Sequence, residues 1–157
     1  MFIVDTQLIT LTSANESACL YIKNTSPTLY LIPVYSRICF GSSTGGTTTD
    51  VIVRGYFNPT AGTILVSGTP SAGGNANSGF NTLAPCTVLI GAEGLTAVAI
   101  ATLADIAQVK TVYDAPPGFN LAPGGAIIAA ITPPPGNTSM KVDLELGFVM
   151  IDPTMLL

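Results

Sequence analysis

From Lys141 to Ile151 the chain alternates between two kinds of side chain. Val142, Leu144, Leu146, Phe148 and Met150 fall on one face of an extended segment, with Asp143, Glu145 and Gly147 on the other. Successive side chains of a strand point to opposite faces, so a period of two predicts a strand with an apolar inner face and a solvated outer one. At the far end the outer face turns apolar, at Val149 and Ile151, as if that end were covered.

The same pattern recurs in shorter runs. Ala18 to Lys23 alternates Ala18, Leu20 and Ile22 against Cys19, Tyr21 and Lys23, and Leu8 to Leu11 is a further candidate. Leu29 to Phe40 is β-branched and aromatic but interrupted by Pro33, which predicts a bulge or an edge strand. Asp50 to Phe57 is a strand stopped by Asn58-Pro59, and Thr63 to Ser67, Thr87 to Ile90, Lys110 to Tyr113 and Ala126 to Thr132 complete the set. Leu95 to Ala107 fits either a short helix or a strand followed by a helical turn. The spacing of Leu95, Val98, Thr102 and Ile106 favours a short helix around Ala101 to Ala107.

Turn chemistry separates these runs. Ala115-Pro116-Pro117-Gly118 and Pro133-Pro134-Pro135-Gly136-Asn137 predict rigid turns. Two uncharged loops, Gly41 to Thr49 and Ser67 to Phe80, consist largely of small residues. Neither contains the lysine that a phosphate-cradling loop needs. They read as flexible surface loops, or as arms that order against a neighbouring subunit. About eight strands in 157 residues, long loops and at most one short helix make residues 1–157 a single all-β domain. The economical architecture is an antiparallel β-sandwich of the jelly-roll or Greek-key kind.

Charge changes the picture from fold to function. The chain has no histidine and only 14 charged side chains, five basic and nine acidic. An ordinary composition at this length would carry roughly 39. Without histidine, Ser/His and Cys/His nucleophile activation, imidazole metal ligands and imidazole proton shuttles are all excluded. Lys23, Arg37, Arg54, Lys110 and Lys141 are spread singly, which argues against a nucleic-acid partner.

Asp143 and Glu145, two apart on one strand face and roughly 7 Å from each other, are the one carboxylate pair with a spacing that glycoside hydrolysis uses. The chain has no tryptophan to stack on a sugar, and a solvated outer face explains the pair better. Calcium at loops near Asp50 or Asp114 lacks the clustered D-x-D-x-D ligands. No catalytic, cofactor-binding or metal residue is therefore assigned, and no cofactor is expected.

Cys19, Cys39 and Cys86 lack metal-ligand spacing; they predict buried free thiols of a reducing cytoplasm, or one disulfide and one free thiol. Met1 to Asp5 has neither the basic nor the apolar region of a signal peptide, and Glu93 and Asp105 interrupt the most apolar stretch, so no membrane partner is expected. The sequons at Asn15, Asn24 and Asn137 then read as turn chemistry.

The run Leu121-Ala-Pro-Gly-Gly-Ala-Ile-Ile-Ala-Ala-Ile-Thr-Pro-Pro-Pro-Gly-Asn-Thr-Ser-Met140 leads into the strand that starts at Lys141. Residues 121–151 resemble the terminal strand–turn–strand of small β-sandwich virion proteins of tailed bacteriophages, among them capsid decoration (cement) proteins and related head or tail components. The resemblance carries over no functional residue. It implies a viral structural protein, often a trimer, that binds the outside of a capsid lattice and stabilises the virion. Its partners would be copies of itself and the major capsid protein or other virion proteins, and its location the virion, after synthesis in the host cytoplasm. The alternative is a glycan- or receptor-binding β-sandwich head of a phage tail or adhesin. A surface so poor in charge agrees with assembly, because burying an ion against a neighbour costs several kcal/mol.

Overall fold

The computed structural model describes residues 1–44, 51–59, 68–71, 74–75, 83–94, 101–108, 112–115 and 119–155. Among them are twelve strands: β1 (Phe2–Asp5), β2 (Ile9–Leu11), β3 (Ser17–Asn24), β4 (Tyr30–Thr44), β5 (Val51–Phe57), β6 (Thr69–Ser71), β7 (Gly74–Asn75), β8 (Cys86–Gly94), β9 (Ala101–Gln108), β10 (Val112–Ala115), β11 (Ala126–Thr132) and β12 (Ser139–Ile151). One 3-10 turn, Pro153–Met155, follows. Among the described residues no helix is long and apolar enough to cross a membrane.

The strands form two antiparallel sheets. The first has the order β10-β4-β12-β1-β7, with β2 also on β12; the second runs β6-β8-β3-β11-β5-β9. The chain changes sheet between β2 and β3, again into β4 and into β5, into β7 and back into β8, and at each step from β9 to β12. The protein is thus an all-β sandwich.

The inner faces meet in one interior. Val4, Leu31, Leu146 and Phe148 of the first sheet pack with Leu20, Ile22, Val88 and Ile127 of the second. Leu11, Ile38, Met140, Val142 and Leu144 pack likewise with Cys19, Val51, Val53 and Ile131. The predicted row of β12 is the spine of this core, with Val142 and Phe148 at 0% exposure. Burying each such side chain contributes about 1.5–3 kcal/mol.

Of the two alternatives for Pro33, the bulge is correct. Phe148 pairs with Pro33 while Gly147 pairs with Tyr35, so Val34 is the extra residue, exposed at 49%. β4 is not an edge strand; it lies between β10 and β12. The helix expected at Ala101 to Ala107 is a strand instead. β9 pairs with β5 from Phe57↔Ala101 to Val51↔Gln108, and an available sheet edge overrides the local preference of an Ala-rich run. Gly41 to Thr44 extend β4, and β6 and β7 lie within the Ser67 to Phe80 stretch, so neither loop is wholly irregular; their remaining residues, 45–49, 67, 72–73 and 76–80, lie outside the described residues. So do the strand expected at Thr63 to Ser67, Lys110 at the start of another, and most of the Ala115-to-Gly118 turn.

Two turns have a Pro-Gly centre. Asn137 N–H donates to the Pro134 carbonyl at 3.0 Å across Pro135-Gly136, and Gly125 N–H to the Ala122 carbonyl at 2.8 Å across Pro123-Gly124. Gly136 and Gly124 both have φ of 79°, the left-handed value that a type II turn requires at its third position.

Two sequon asparagines are internal fasteners. Asn24 is fully buried and donates from Nδ2 to the carbonyls of Leu29 (2.8 Å) and Leu121 (3.0 Å), while its Oδ1 accepts from Ser26 N–H (3.0 Å). Asn137 donates to the carbonyls of Leu11 and Ser13 at 3.2 and 3.1 Å. None of the three cysteines forms a disulfide; Cys19 is buried, as expected, but Cys39 and Cys86 are only half-buried. Burial pushes the Cys19 thiol up to about 12, which leaves it unreactive.

Leu146→Asp places an unpaired charge in the interior and should prevent folding, whereas Val34→Thr on the exposed bulge should shift stability by under about 0.5 kcal/mol. Soluble yield and urea unfolding check both, and equal tolerance would mean that the register of β12 on β4 is wrong. Asn24→Ala removes three hydrogen bonds and strands buried carbonyls; it should cost about 2–4 kcal/mol by the same measurement.

Candidate functional site

With the core spoken for, the functional groups are those on the two outer faces. On the first sheet the outward positions of β12 carry the predicted pair, Asp143 and Glu145, both half-buried. They are side by side on an open strand face, not on opposite sides of a cleft. In register with Glu145 stand Asp5 of β1 on one side and Arg37 of β4 on the other, and Arg37 is in turn opposite Asp114 of β10. Asp143 stands opposite Cys39.

Burial pushes the Asp143 carboxyl above its ordinary range, and the neighbouring Asp5 carboxylate adds to the shift. Thr6 opposes it slightly, with Oγ1 3.4 Å from Asp143 Oδ1. The Tyr35 hydroxyl donates to Glu145 Oε1 at 2.5 Å, and that bond is the main reason its pKa is pushed up to about 12. The Tyr35 ring lies across Gly147, where an added Cβ would fall 2.1 Å from Tyr35 Cε1. Absence of a side chain at Gly147 is therefore what lets the ring lie flat and its hydroxyl reach Glu145.

Beyond Tyr35 the face is apolar. Val149 faces Ile32 and Ile151 faces Tyr30, all four half-buried, with exposed Val34 beside them. The expected change of character along β12 is present, so the first sheet offers one acidic and one apolar half.

The outer face of the second sheet is more apolar. Leu89, Tyr21, Ile128 and Tyr56 form one cross-strand row over β8, β3, β11 and β5. With Ala18 and Ala130 they make a separate hydrophobic cluster in which Ile128 is wholly covered. At its edge Arg54 Nη1 pairs with Glu16 Oε1 at 3.2 Å, and the Tyr56 hydroxyl donates to the same carboxylate at 3.0 Å. Burial, then the bond to Glu16, pushes the Tyr56 pKa up.

Sequence reasoning placed Asp143 and Glu145 correctly but missed Asp5 and Tyr35, whose importance comes from pairings far along the chain. The signal for the second cluster was present: Ala126 to Thr132 is apolar at nearly every position, as expected of a strand covered on both faces. Of the calcium candidates, Asp114 stands on β10 and Asp50 lies outside the described residues. Among the described residues no three His, Cys, Asp or Glu side chains are grouped to hold a metal ion. No protein-family model, curated protein or solved structure matches the chain.

Gly147→Ala should push the Tyr35 ring off the sheet and cost about 1–3 kcal/mol. In a Tyr35→Ala background the same change should cost nothing, since the obstructing ring is gone. A double-mutant cycle by urea unfolding reads the coupling, and simple additivity would show that the ring does not rest on Gly147.

Proposed function

We propose that the chain is a non-enzymatic viral structural protein that binds a capsid lattice as a decoration or cement subunit and stabilises the virion. The observation that carries this reading is the character of the outer faces. Apolar and aromatic side chains, Tyr21, Tyr56 and Leu89 on one sheet and Tyr30, Ile32, Val149 and Ile151 on the other, occupy positions where a solitary domain carries charge. Fourteen charges on 7802 Å² amount to roughly one per 560 Å², where ordinary composition would give about one per 200 Å². Such faces meet a neighbour without burying ions.

The pairing order supports the jelly-roll form of the sandwich. With β1 and β2 counted as one broken strand, β1/β2-β12-β4-β10 and β3-β11-β5-β9 follow the nested order of eight strands in two Greek keys, and β6 to β8 extend the sheets. Viral capsid proteins use this architecture, but so do lectins, so fold alone argues only by analogy. Self-association, most simply as a trimer, and the major capsid protein or another virion protein are the partners that this reading requires. Isolated cations give no stripe for nucleic acid.

One observation favours a second reading, a glycan- or receptor-binding head. Tyr35 and Tyr56 each present a ring beside a carboxylate, Glu145 and Glu16, a pairing that sugars also use. One experiment separates the two. Added to undecorated phage heads, the protein should co-sediment with them and raise their resistance to heat, and its native mass should exceed the 16.0 kDa of one chain. A monomer that ignores heads but binds a purified surface glycan saturably would establish the second reading instead.

A further inference from the structure

Among the described residues five large apolar side chains are exposed: Met1, Leu8, Val34, Leu83 and Met155. Leu8, in the link between β1 and β2, and Leu83, before β8, stand elsewhere in the fold. The other three belong to one end of the first sheet. Val34 is the bulged residue of β4, Met1 adjoins Phe2, which pairs with Phe148, and Met155, 79% exposed, ends the turn that follows β12. They extend the apolar half of the outer face, the part built from the Val149–Ile32 and Ile151–Tyr30 pairs. Exposed apolar residues scattered singly are ordinary, whereas a contiguous group of them marks a contact surface.

Carboxylates close both ends of this patch. At one end Glu145 stands with Asp5 directly opposite, and Asp143 lies two positions further along β12. At the other end the exposed Asp152 directly follows Ile151. Among the described residues the cations beside these four acids are Arg37, in register with Glu145, and Lys141, near the start of β12. Asp114 of β10 is in register with Arg37 on its other side. The patch is therefore an apolar centre with a rim that is acidic on balance.

We infer that this half of the first sheet is the face that meets the capsid lattice, and that the lattice protein meets it with a segment carrying apolar side chains between lysine or arginine residues. The inference rests on the lattice-binding reading above and adds to it the face and the chemistry of the partner. From Glu145 to Asp152 is on the order of 20 Å of extended chain. A partner segment of that reach with a cation near each end finds a carboxylate at both, while its apolar middle covers Val34 and Val149. An apolar centre inside a polar rim is the ordinary build of such a contact.

A second copy of this chain does not fit that description. Its own patch is acidic at both ends, so a two-fold pairing in either direction sets carboxylate against carboxylate. Its remaining cations offer no remedy. Arg54 pairs with Glu16 on the second sheet, and Lys23 and Lys110 stand singly in the sequence.

Co-sedimentation with undecorated phage heads tests this, on variants first shown to keep the urea midpoint and native mass of the unaltered protein. Val34→Asp, on the exposed bulge, should weaken binding at least about tenfold. Asp152→Lys, which makes one end of the rim basic, should weaken it about threefold or more. Binding of the unaltered protein should fall between about 50 and about 300 mM NaCl, and Asp152→Lys should flatten that dependence. Heads that take up both variants as readily as the unaltered protein, or binding indifferent to salt, would overturn the inference and leave lattice binding standing. A folded Val34→Asp with a lower native mass would overturn it too, since the face would then join copies of the chain. If the unaltered protein does not bind heads at all, the lattice reading falls and takes this inference with it.

Discussion

The structure depends on β12 having backbone partners along both edges. β4 follows it from Thr44 opposite Ser139 to Tyr30 opposite Ile151, while β1 and β2 share the other edge. A strand paired on both sides and apolar on its inner face cannot shift by one residue without turning its whole core row to solvent. That constraint sets the position of every inner side chain of the first sheet, and through the interior it sets which residues of β3 and β11 must face inward. The bulge at Val34 is its local expense: one extra residue lets the buried Pro33 sit opposite Phe148 without having to supply an N–H to the ladder.

The same alternation that builds the core distributes chemistry on the outside. Side chains that cannot enter the interior are forced outward at every second position, so β12 delivers Asp143, Glu145, Gly147, Val149 and Ile151 in order along one face. The gradient from acidic to apolar on that face is a direct transcript of the strand. Tyr35 marks the boundary, its ring on Gly147 and its hydroxyl on Glu145. The second sheet has no such gradient, because β11 is apolar at both inward and outward positions.

What local pattern could show, it showed well. β11 and β12 lie where their apolar patterns place them, β3 matches within a residue, and the predicted turn at Pro135-Gly136 forms as its dihedral needs demand. The misses share one physical cause, dependence on distant partners. β1 is four residues without room for a period to emerge, and β9 holds an Ala-rich segment that becomes a strand only because β5 offers an edge. β6 and β7 are two or three residues long and exist by virtue of the strands beside them. The outer faces were legible by composition but not by membership: that Asp5 stands opposite Glu145, or that Tyr21 and Tyr56 flank Ile128, is a property of register.

Pairing the first strands with the last also imposes an order of events during synthesis. Phe2 emerges from the ribosome roughly 140 residues before Phe148, its partner, which at typical translation rates is a wait on the order of 10 s. During that interval β2 has no strand to join, β1 has only the two residues of β7, and the inner side chains of β4 lack half of their sheet. The sandwich therefore closes late and cooperatively, and an unfinished chain displays an apolar edge to whatever lies nearby, a nascent copy of itself included.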